Sequence, residues 1–428
     1  MTPTTFILIG AGNRGRGTFG QYALDNPLRA KFVAVVEPEP ARREAFAAAH
    51  KIPTSHCFES VAGFFARHPA KIADALVVAT PGAVRAEPVA CAIRAGYAVL
   101  CEKPLAHTAA ATIAVTDSAR SYAGLFMVCH QMRYAPLYRL LKSLLDSGDY
   151  GRVINVEHSE NVSFRHMAHT FVRGVYNNDR LAPMILAKSC HDMDLLLYLI
   201  GAKPSRVASF GGLAHLRPEN APPGAPRFCL DGCPISATCP YDVTRIYMQP
   251  DTDPAYLRQM GVVRDQAHLR ELLRTNRYGR CVYRCDNNAP DHQVCSFEFA
   301  GGATASFSMT GHNGVERRRT RLMLEDAEIE LETVRNTIEI HRFSTGEHRV
   351  LEPARGGTHS GGDRAIMDDF IAAVQTGHHE QVLTSVADSL DSHLMAFAAE
   401  ESRQTGRVIQ LADFEDNCRR AATAVDKG

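Results

Sequence analysis

The sequence predicts an α/β chain in two parts, an N-terminal doubly wound parallel sheet followed by an α+β part with an antiparallel sheet. Three observations predict it. The apolar run Phe6-Ile7-Leu8-Ile9 passes directly into Gly10-Ala11-Gly12-Asn13-Arg14-Gly15 and then into a helix-compatible stretch over residues 18–24. Further continuous apolar runs separated by helical patterns recur up to residue 128, as expected of strands buried on both faces of a parallel sheet. Beyond residue 290 the pattern becomes one of short strands joined by tight turns, as in Gln293–Phe299, Ala300-Gly301-Gly302 and Ala303–Met309.

The first turn is suited to a dinucleotide. Gly10 makes the tight turn, Gly12 lets the backbone approach a pyrophosphate, and Gly15 lets the helix pack close to the strand. The helix start offers free N–H groups and a positive dipole end to phosphate oxygens, and Asn13 and Arg14 share that turn. The next strand, Phe32-Val33-Ala34-Val35-Val36, ends in Glu37. An acid about 20 residues past the glycines binds a ribose 2′-hydroxyl in Rossmann sheets. Its charge repels a 2′-phosphate, so NAD is expected over NADP, with Arg42 and Arg43 as a slight counterweight. A third strand, Ala75-Leu76-Val77-Val78-Ala79, ends in Thr80-Pro81. A helix over 89–95 leads to Ala98-Val99-Leu100-Cys101, which runs into Glu102-Lys103-Pro104. A helix over 109–119 precedes the last strand, Leu125-Phe126-Met127-Val128. Ligands of such sheets sit at the carboxyl ends of the strands, where Glu37, Thr80, Pro81, Glu102 and Lys103 all fall.

Composition excludes other classes. The 47 Lys+Arg balance the 47 Asp+Glu over 428 residues, which removes the electrostatic footprint of a nucleic-acid binder. No basic amphipathic stretch marks a membrane surface, and no apolar run approaches the roughly 18 residues of a transmembrane helix. The start of the sequence shows no positively charged region ahead of its apolar stretch, such as a signal peptide would have. A cytoplasmic chain is therefore expected, where disulfides are rare, so the twelve cysteines need another account.

The glycine turn, Thr80-Pro81 and Cys101-Glu102-Lys103-Pro104-Leu105-Ala106 together resemble the Gfo/Idh/MocA oxidoreductases, a family that includes glucose-fructose oxidoreductase and inositol dehydrogenases. Arg133, Asp146–Val153, His191 with Asp194, and Ser392-His393 with Phe397–Ser402 continue the resemblance over most of the chain, except roughly residues 213–290. It implies a Rossmann domain (1–128) that binds NAD and an α+β domain (129–428) with a large, mainly antiparallel sheet. One face of that sheet covers the nicotinamide and the other makes a homodimer or homotetramer. It also implies that Lys103 sits beside the nicotinamide and takes part in proton transfer from a sugar hydroxyl, a step that hydride transfer from an alcohol requires.

Two positions depart from the family pattern. The acid usual four residues before the histidine is absent, since Ala187 stands four before His191, with Lys188 next to it. Residues three apart share a helix face, so Lys188, His191 and Asp194 are expected to line one side of a helix. His191 is read as the acid/base and Lys188 as the group that binds or polarises the sugar hydroxyl. A histidine common after Thr80-Pro81 is replaced by Arg85. The reading is an NAD-dependent oxidoreductase acting on a sugar, glycoside or cyclic polyol. Its rival is an NAD-retaining enzyme that cleaves glycosides by transient oxidation, elimination and re-reduction.

For the carbohydrate substrate, His166, His169, Arg173 and Tyr176 form a polar cluster ahead of His191, and Arg133 and Asp192 complete the candidate set. The glycine-rich stretch His359–Asp363 is a further polar loop able to reach the sugar. Five cysteines fall in the insertion, and short-spaced thiolates on tight turns suit a closed structural zinc site. Cys229, Cys233 and Cys239 supply three ligands, and Cys285 or Cys281 the fourth. An iron–sulfur cluster is the other four-thiolate option.

Overall fold

The computed structural model describes residues 2–179, 181–261, 263–356, 361–378 and 382–425. Its first sheet contains β1 (Thr4–Ile9), β2 (Ala30–Val36), β3 (Cys57–Phe58), β4 (Ala75–Val78), β5 (Ala98–Cys101) and β6 (Phe126–Val128). They run in the order β3-β2-β1-β4-β5-β6, with every pair parallel. This is the doubly wound dinucleotide-binding order, and its switch point lies between β1 and β4. Alternate side chains of β1 enter two separate cores. Phe6 and Leu8 face one layer, Ile7 and Ile9 the other, which is why the strand reads as an unbroken apolar run.

The second sheet contains β7 (Val153–Ser163), β8 (Pro204–Gly212), β9 (His292–Phe299), β10 (Thr304–Asn313), β11 (Arg317–Leu324), β12 (Ala327–Glu332), β13 (Thr337–Arg342), β14 (His348–Leu351) and β15 (Ile409–Gln410). Its order is β14-β13-β12-β11-β7-β10-β9-β8-β15, antiparallel throughout except for the central β7–β10 pair. Along β9 the side chains alternate, Cys295, Phe297 and Phe299 buried and Val294 and Ser296 exposed, as expected where one face alone is covered. The helices Cys190–Ile200 and Val386–Thr405 cover that face with Leu195, Leu199, Leu394 and Ala398 in one core.

The expected boundary at residue 128 omits one element. The helix Gly362–Thr376 packs Ile366, Met367, Phe370 and Ile371 into the same cluster as Phe6 and Leu8. Its apolar face finds its partner on the first sheet, so the C-terminal part of the chain completes the N-terminal core. Residues 213–290 hold the helices Val243–Tyr247, Pro254–Met260 and Gln266–Thr275. Among the described residues no helix is long and apolar enough to cross a membrane.

Candidate active site

The glycine turn has the geometry its sequence requires. Gly10 sits at φ +95°, and a Cβ there would lie 2.9 Å from the carbonyl of Ala79. A Cβ on Gly15 would fall 2.0 Å from Gly10 O, whereas one on Gly12 meets nothing within 4 Å. Two glycines are thus needed for backbone approach, and the third borders open space suited to a phosphate. Glu37 is buried at the end of β2 and accepts from Ala11 N at 2.8 Å and Glu39 N at 3.1 Å, which fixes its carboxylate beside the turn. Thr80 and Pro81 follow β4 across the switch point. These residues fit a dinucleotide.

The side chains of Arg14 and Glu102 do something other than expected. Arg14 binds Glu102 Oε1 through Nε and Asp363 Oδ1 through Nη2, both at 2.7 Å. Glu102 also accepts from Gln131 Nε2 at 3.2 Å and Lys103 N at 3.1 Å. A carboxylate so occupied holds the glycine turn, the Lys103 turn and, through Arg14, the helix Gly362–Thr376 together, so both side chains are engaged as struts within the protein. Arg85 serves the same turn. It is buried and donates to the carbonyls of Glu102, Pro104 and Thr80, so the residue replacing the family histidine ties the ends of β4 and β5 together. His359 and Ser360 lie outside the described residues.

Lys103 projects from that turn towards the second domain, with Nζ 3.1 Å from Ala187 O. The acceptor is the backbone of the position where the family acid is missing. Lys103–Pro104 is a cis peptide, and Leu105 N donates to His393 Nε2 at 2.9 Å while His393 Nδ1 donates to Ser389 O at 2.5 Å. Burial pushes His393 down to about 3, with the neighbouring His130 adding to the effect. His130 is fully buried, and burial, then Arg133 and Lys103, hold it well below the ordinary histidine range. Its ring lies 6.1 Å from that of His191 and 5.7 Å from that of His393. Lys103, His130 and His191 thus meet where the two domains face each other. Tyr176 is half-buried; burial pushes its hydroxyl up, with Arg85 acting to lower it and Glu102 to raise it. Cys190 is a buried thiol pushed up to about 11 by burial.

The expected single helix is broken. Met184–Ala187 ends, Lys188 and Ser189 form a joint, and Cys190–Ile200 begins, so Lys188 does not share a face with His191 and Asp194. Lys188 instead pairs with Glu160 of β7 at 3.0 Å. Burial works to lower its pKa, but Glu160 and Glu316 hold it above the ordinary value. His166 pairs with Glu316 at 2.5 Å, which places it at the edge of the same charge cluster.

Four substrate candidates are engaged by protein partners. Arg133 grips the buried Asp194 through Nε at 2.8 Å and Nη2 at 2.7 Å and donates to Leu383 O. Asp192 is fully buried between Arg318 at 2.6 Å and His158 at 3.0 Å. Burial works to raise it, but these two partners hold it well below the usual carboxylate range. His169 is stacked between Tyr256 at 4.1 Å and Tyr278 at 4.7 Å, and burial pushes it down to about 3. Arg173 is fully buried and donates to Arg280 O at 2.6 Å and Tyr241 O at 2.8 Å. Each side chain is engaged by protein partners, as polar groups inside a core usually are, although His169 Nε2 and Arg173 Nη1 find no hydrogen-bond partner among the described residues.

Sequence reasoning missed His130, Arg318, Glu160 and Arg258. His130 had one signal, its place two residues past the end of β6. Arg258, on the insertion helix Pro254–Met260, lies with Nε 3.3 Å from Asn13 Oδ1, a contact that no local pattern announces.

The cysteine expectation changes in one ligand. Cys229, Cys233, Cys239 and Cys281 line a single small cavity. Cys285 turns to Cys281 O at 3.3 Å, which corrects Cys285 to Cys281 as the fourth candidate. Elsewhere Glu339, His341 and His348 bring their ligand atoms within 4.8 Å of one another on the exposed β13–β14 pair.

A family model described as an oxidoreductase family with an NAD-binding Rossmann fold matches residues 4–130. The inositol 2-dehydrogenase of Leifsonia xyli subsp. xyli (strain CTCB07) is 29% identical over 218 residues, covering 48% of this chain and 57% of that protein. The chain thus spans little more than half the length of this curated relative. A solved levoglucosan dehydrogenase, in complex with NADH and L-sorbose, shares the fold at TM-score 0.71 and 16% identity, covering 96% of this chain and 99% of that one. The UDP-N-acetylglucosamine 3-dehydrogenase of Acidithiobacillus ferrooxidans does so at TM-score 0.64 and 17% identity, over 95% and 99% of the two chains. The matched Rossmann domain, residues 4–130, is thus that of the Gfo/Idh/MocA oxidoreductases, and the two-sheet architecture of the chain is similar to that of these solved structures over nearly its whole length.

Proposed function

We propose that the protein is an NAD-dependent oxidoreductase that moves a hydride between nicotinamide and a ring carbon of a sugar, glycoside or cyclic polyol. One observation carries this reading. Lys103 reaches from the nucleotide-binding sheet to Ala187 O of the second domain, beside His130, whose ring lies 6.1 Å from that of His191. The bound nicotinamide would supply the hydride acceptor. The chain's own task is the proton. An alcohol losing hydride must also lose its hydroxyl proton, and a nearby ammonium stabilises the developing alkoxide. Lys103 Nζ is assigned that position, His191 the exchange of the proton, and Tyr176 a hydrogen bond to a ring hydroxyl. Lys188 and His166 border the cleft through Glu160 and Glu316, as charged groups that orient the polyol.

Finer assignments belong to the same reading. Glu37 favours NAD over NADP by repelling a 2′-phosphate. Homo-oligomerisation uses the outer face of the second sheet, where Phe210, 67% exposed, pairs in register with Val294. A structural zinc occupies the cysteine insertion.

The test incubates purified protein and NAD with a panel of polyols, sugars and aryl glycosides, recording NADH absorbance and released aglycone. NADH without aglycone supports the proposal. Aglycone release without net NADH supports redox-neutral glycoside cleavage instead. Neither signal, with NAD bound, removes both.

A further inference from the structure

Arg173 poses a problem that the oxidoreductase reading leaves untouched. Its side chain is fully buried, and a buried cation without a counter-charge is among the costliest arrangements in a folded core. Among the described residues no carboxylate pairs with it. It donates to the carbonyls of Arg280 and Tyr241, and Nη2 lies 3.6 Å from Cys229 Sγ. Burial works against its charge, and its neighbours are Tyr247 and the thiols of Cys229 and Cys285. Asp242 lines the same cavity, but its carboxylate is turned to Thr244 N at 2.9 Å and Thr244 Oγ1 at 2.6 Å.

The cavity beside Arg173 is lined by four cysteines from two separate stretches of chain. Cys229 and Cys233 flank the turn at Gly232, which sits at φ +84°. Cys239 follows a turn in which its own N–H donates to Ile235 O at 2.8 Å. Cys281 is brought alongside by a short backbone pairing, in which Cys229 N donates to Gly279 O at 3.0 Å and Cys281 N to Arg227 O at 2.9 Å. That pairing joins residues far apart in sequence and sets a fourth sulfur opposite the first three.

We propose that Cys229, Cys233, Cys239 and Cys281 bind one zinc ion as four thiolates, and that the net negative charge of this centre is the counter-ion of Arg173. A tetrathiolate zinc site is closed and structural, and ligation requires each thiol to lose its proton. The four protons go to solvent, and no oxidant or reductant is involved. Zn–S bonds of about 2.3 Å set the sulfurs roughly 3.8 Å apart. Among the described residues no three of these sulfurs come within 4.8 Å of one another, so metal entry draws them inward by changes of staggered rotamer. The site closes the insertion whose helix Pro254–Met260 brings Arg258 to the glycine turn. The proposal does not depend on the substrate or on the oxidoreductase reading.

The test is elemental analysis of the full-length protein as purified, with Cys281→Ser and Cys285→Ser beside it. About one zinc per chain is expected in the wild type, retained in Cys285→Ser and lost in Cys281→Ser. Cobalt exchanged into the wild type should show the charge-transfer and ligand-field bands of a tetrahedral four-thiolate site, a readout that stands even where a serine variant does not fold. Less than about 0.2 zinc per chain after purification and zinc addition, against the one ion of a closed site, overturns the proposal. Iron with inorganic sulfide in place of zinc overturns the choice of metal. Loss of zinc in Cys285→Ser with retention in Cys281→Ser overturns the ligand set.

Discussion

His393 ties stability to pH through the turn that presents Lys103. Its Nε2 accepts from Leu105 N and its Nδ1 donates to Ser389 O. A second ring proton would set two donors against each other, so protonation must break the Leu105 bond. Burial pushes the folded-state pKa to about 3, against about 6.5 in the unfolded chain. The folded value is depressed, so the unfolded chain binds the proton first as pH falls. The contribution of the neutral ring is fully present above pH ~6.5 and is lost progressively between pH ~6.5 and ~3. Between pH 7 and pH 5 this single histidine removes about 2 kcal/mol of stability. His169, likewise buried and pushed to about 3, removes a similar amount. Urea unfolding at half-unit steps from pH 7.5 to 4.5 should show stability falling with acid by up to about 1.4 kcal/mol per pH unit for each such histidine. In His393→Asn, which cannot titrate, that slope should drop by about one proton's worth below pH 6. An unchanged slope in the variant would refute the assignment of His393 as a neutral, doubly bonded support.

Four other outcomes are expected. Lys103→Met should lower turnover by about 10²–10⁴-fold while costing only about 1 kcal/mol in unfolding, the worth of one hydrogen bond to a carbonyl. Asp194→Asn strips the counter-charge from buried Arg133 and should cost about 3–5 kcal/mol in urea unfolding. In Gly15→Ala the new Cβ, 2.0 Å from Gly10 O, forces the turn apart, and calorimetric titration should show NAD affinity lost while the circular dichroism spectrum is kept. Arg258→Gln should weaken ADP-ribose about tenfold, near the lower bound for one charge-assisted bond, and leave adenosine affinity unchanged.

The first sheet was legible because its signals are local. A glycine turn, an acid at a strand end and continuous apolar runs each report on backbone geometry within a few residues, and strand order follows from them. The misplaced residues share a different cause. Arg133, Asp192, His169 and Arg173 look like substrate ligands in sequence because they are polar and clustered. Their partners, Asp194, Arg318, Tyr256 and Tyr241, come from elements whose proximity only the tertiary fold creates. The break at Lys188-Ser189 was hidden for a related reason, since helical spacing continues through a joint that packing against the second sheet imposes. The helix Gly362–Thr376 carried its amphipathic pattern openly, but nothing local says which sheet its apolar face will meet.

The absent acid at Ala187 bears on how the proposed chemistry can run. Where a carboxylate stands at that position it can take a proton, whereas the carbonyl that Lys103 meets here can only accept a hydrogen bond. His130 and His393 are held neutral chiefly by burial, with Arg133 and Lys103 adding to it at His130 and the His130 ring adding to it at His393. On the proposed reading, a proton leaving a sugar hydroxyl beside the Lys103 ammonium therefore has His191 or solvent as its acceptor. Lys188 adds no acceptor, because Glu160 and Glu316 keep it charged. On the proposed reading the departure from the family pattern leaves the acid/base work to His191, while Glu160 on the second sheet is engaged by Lys188.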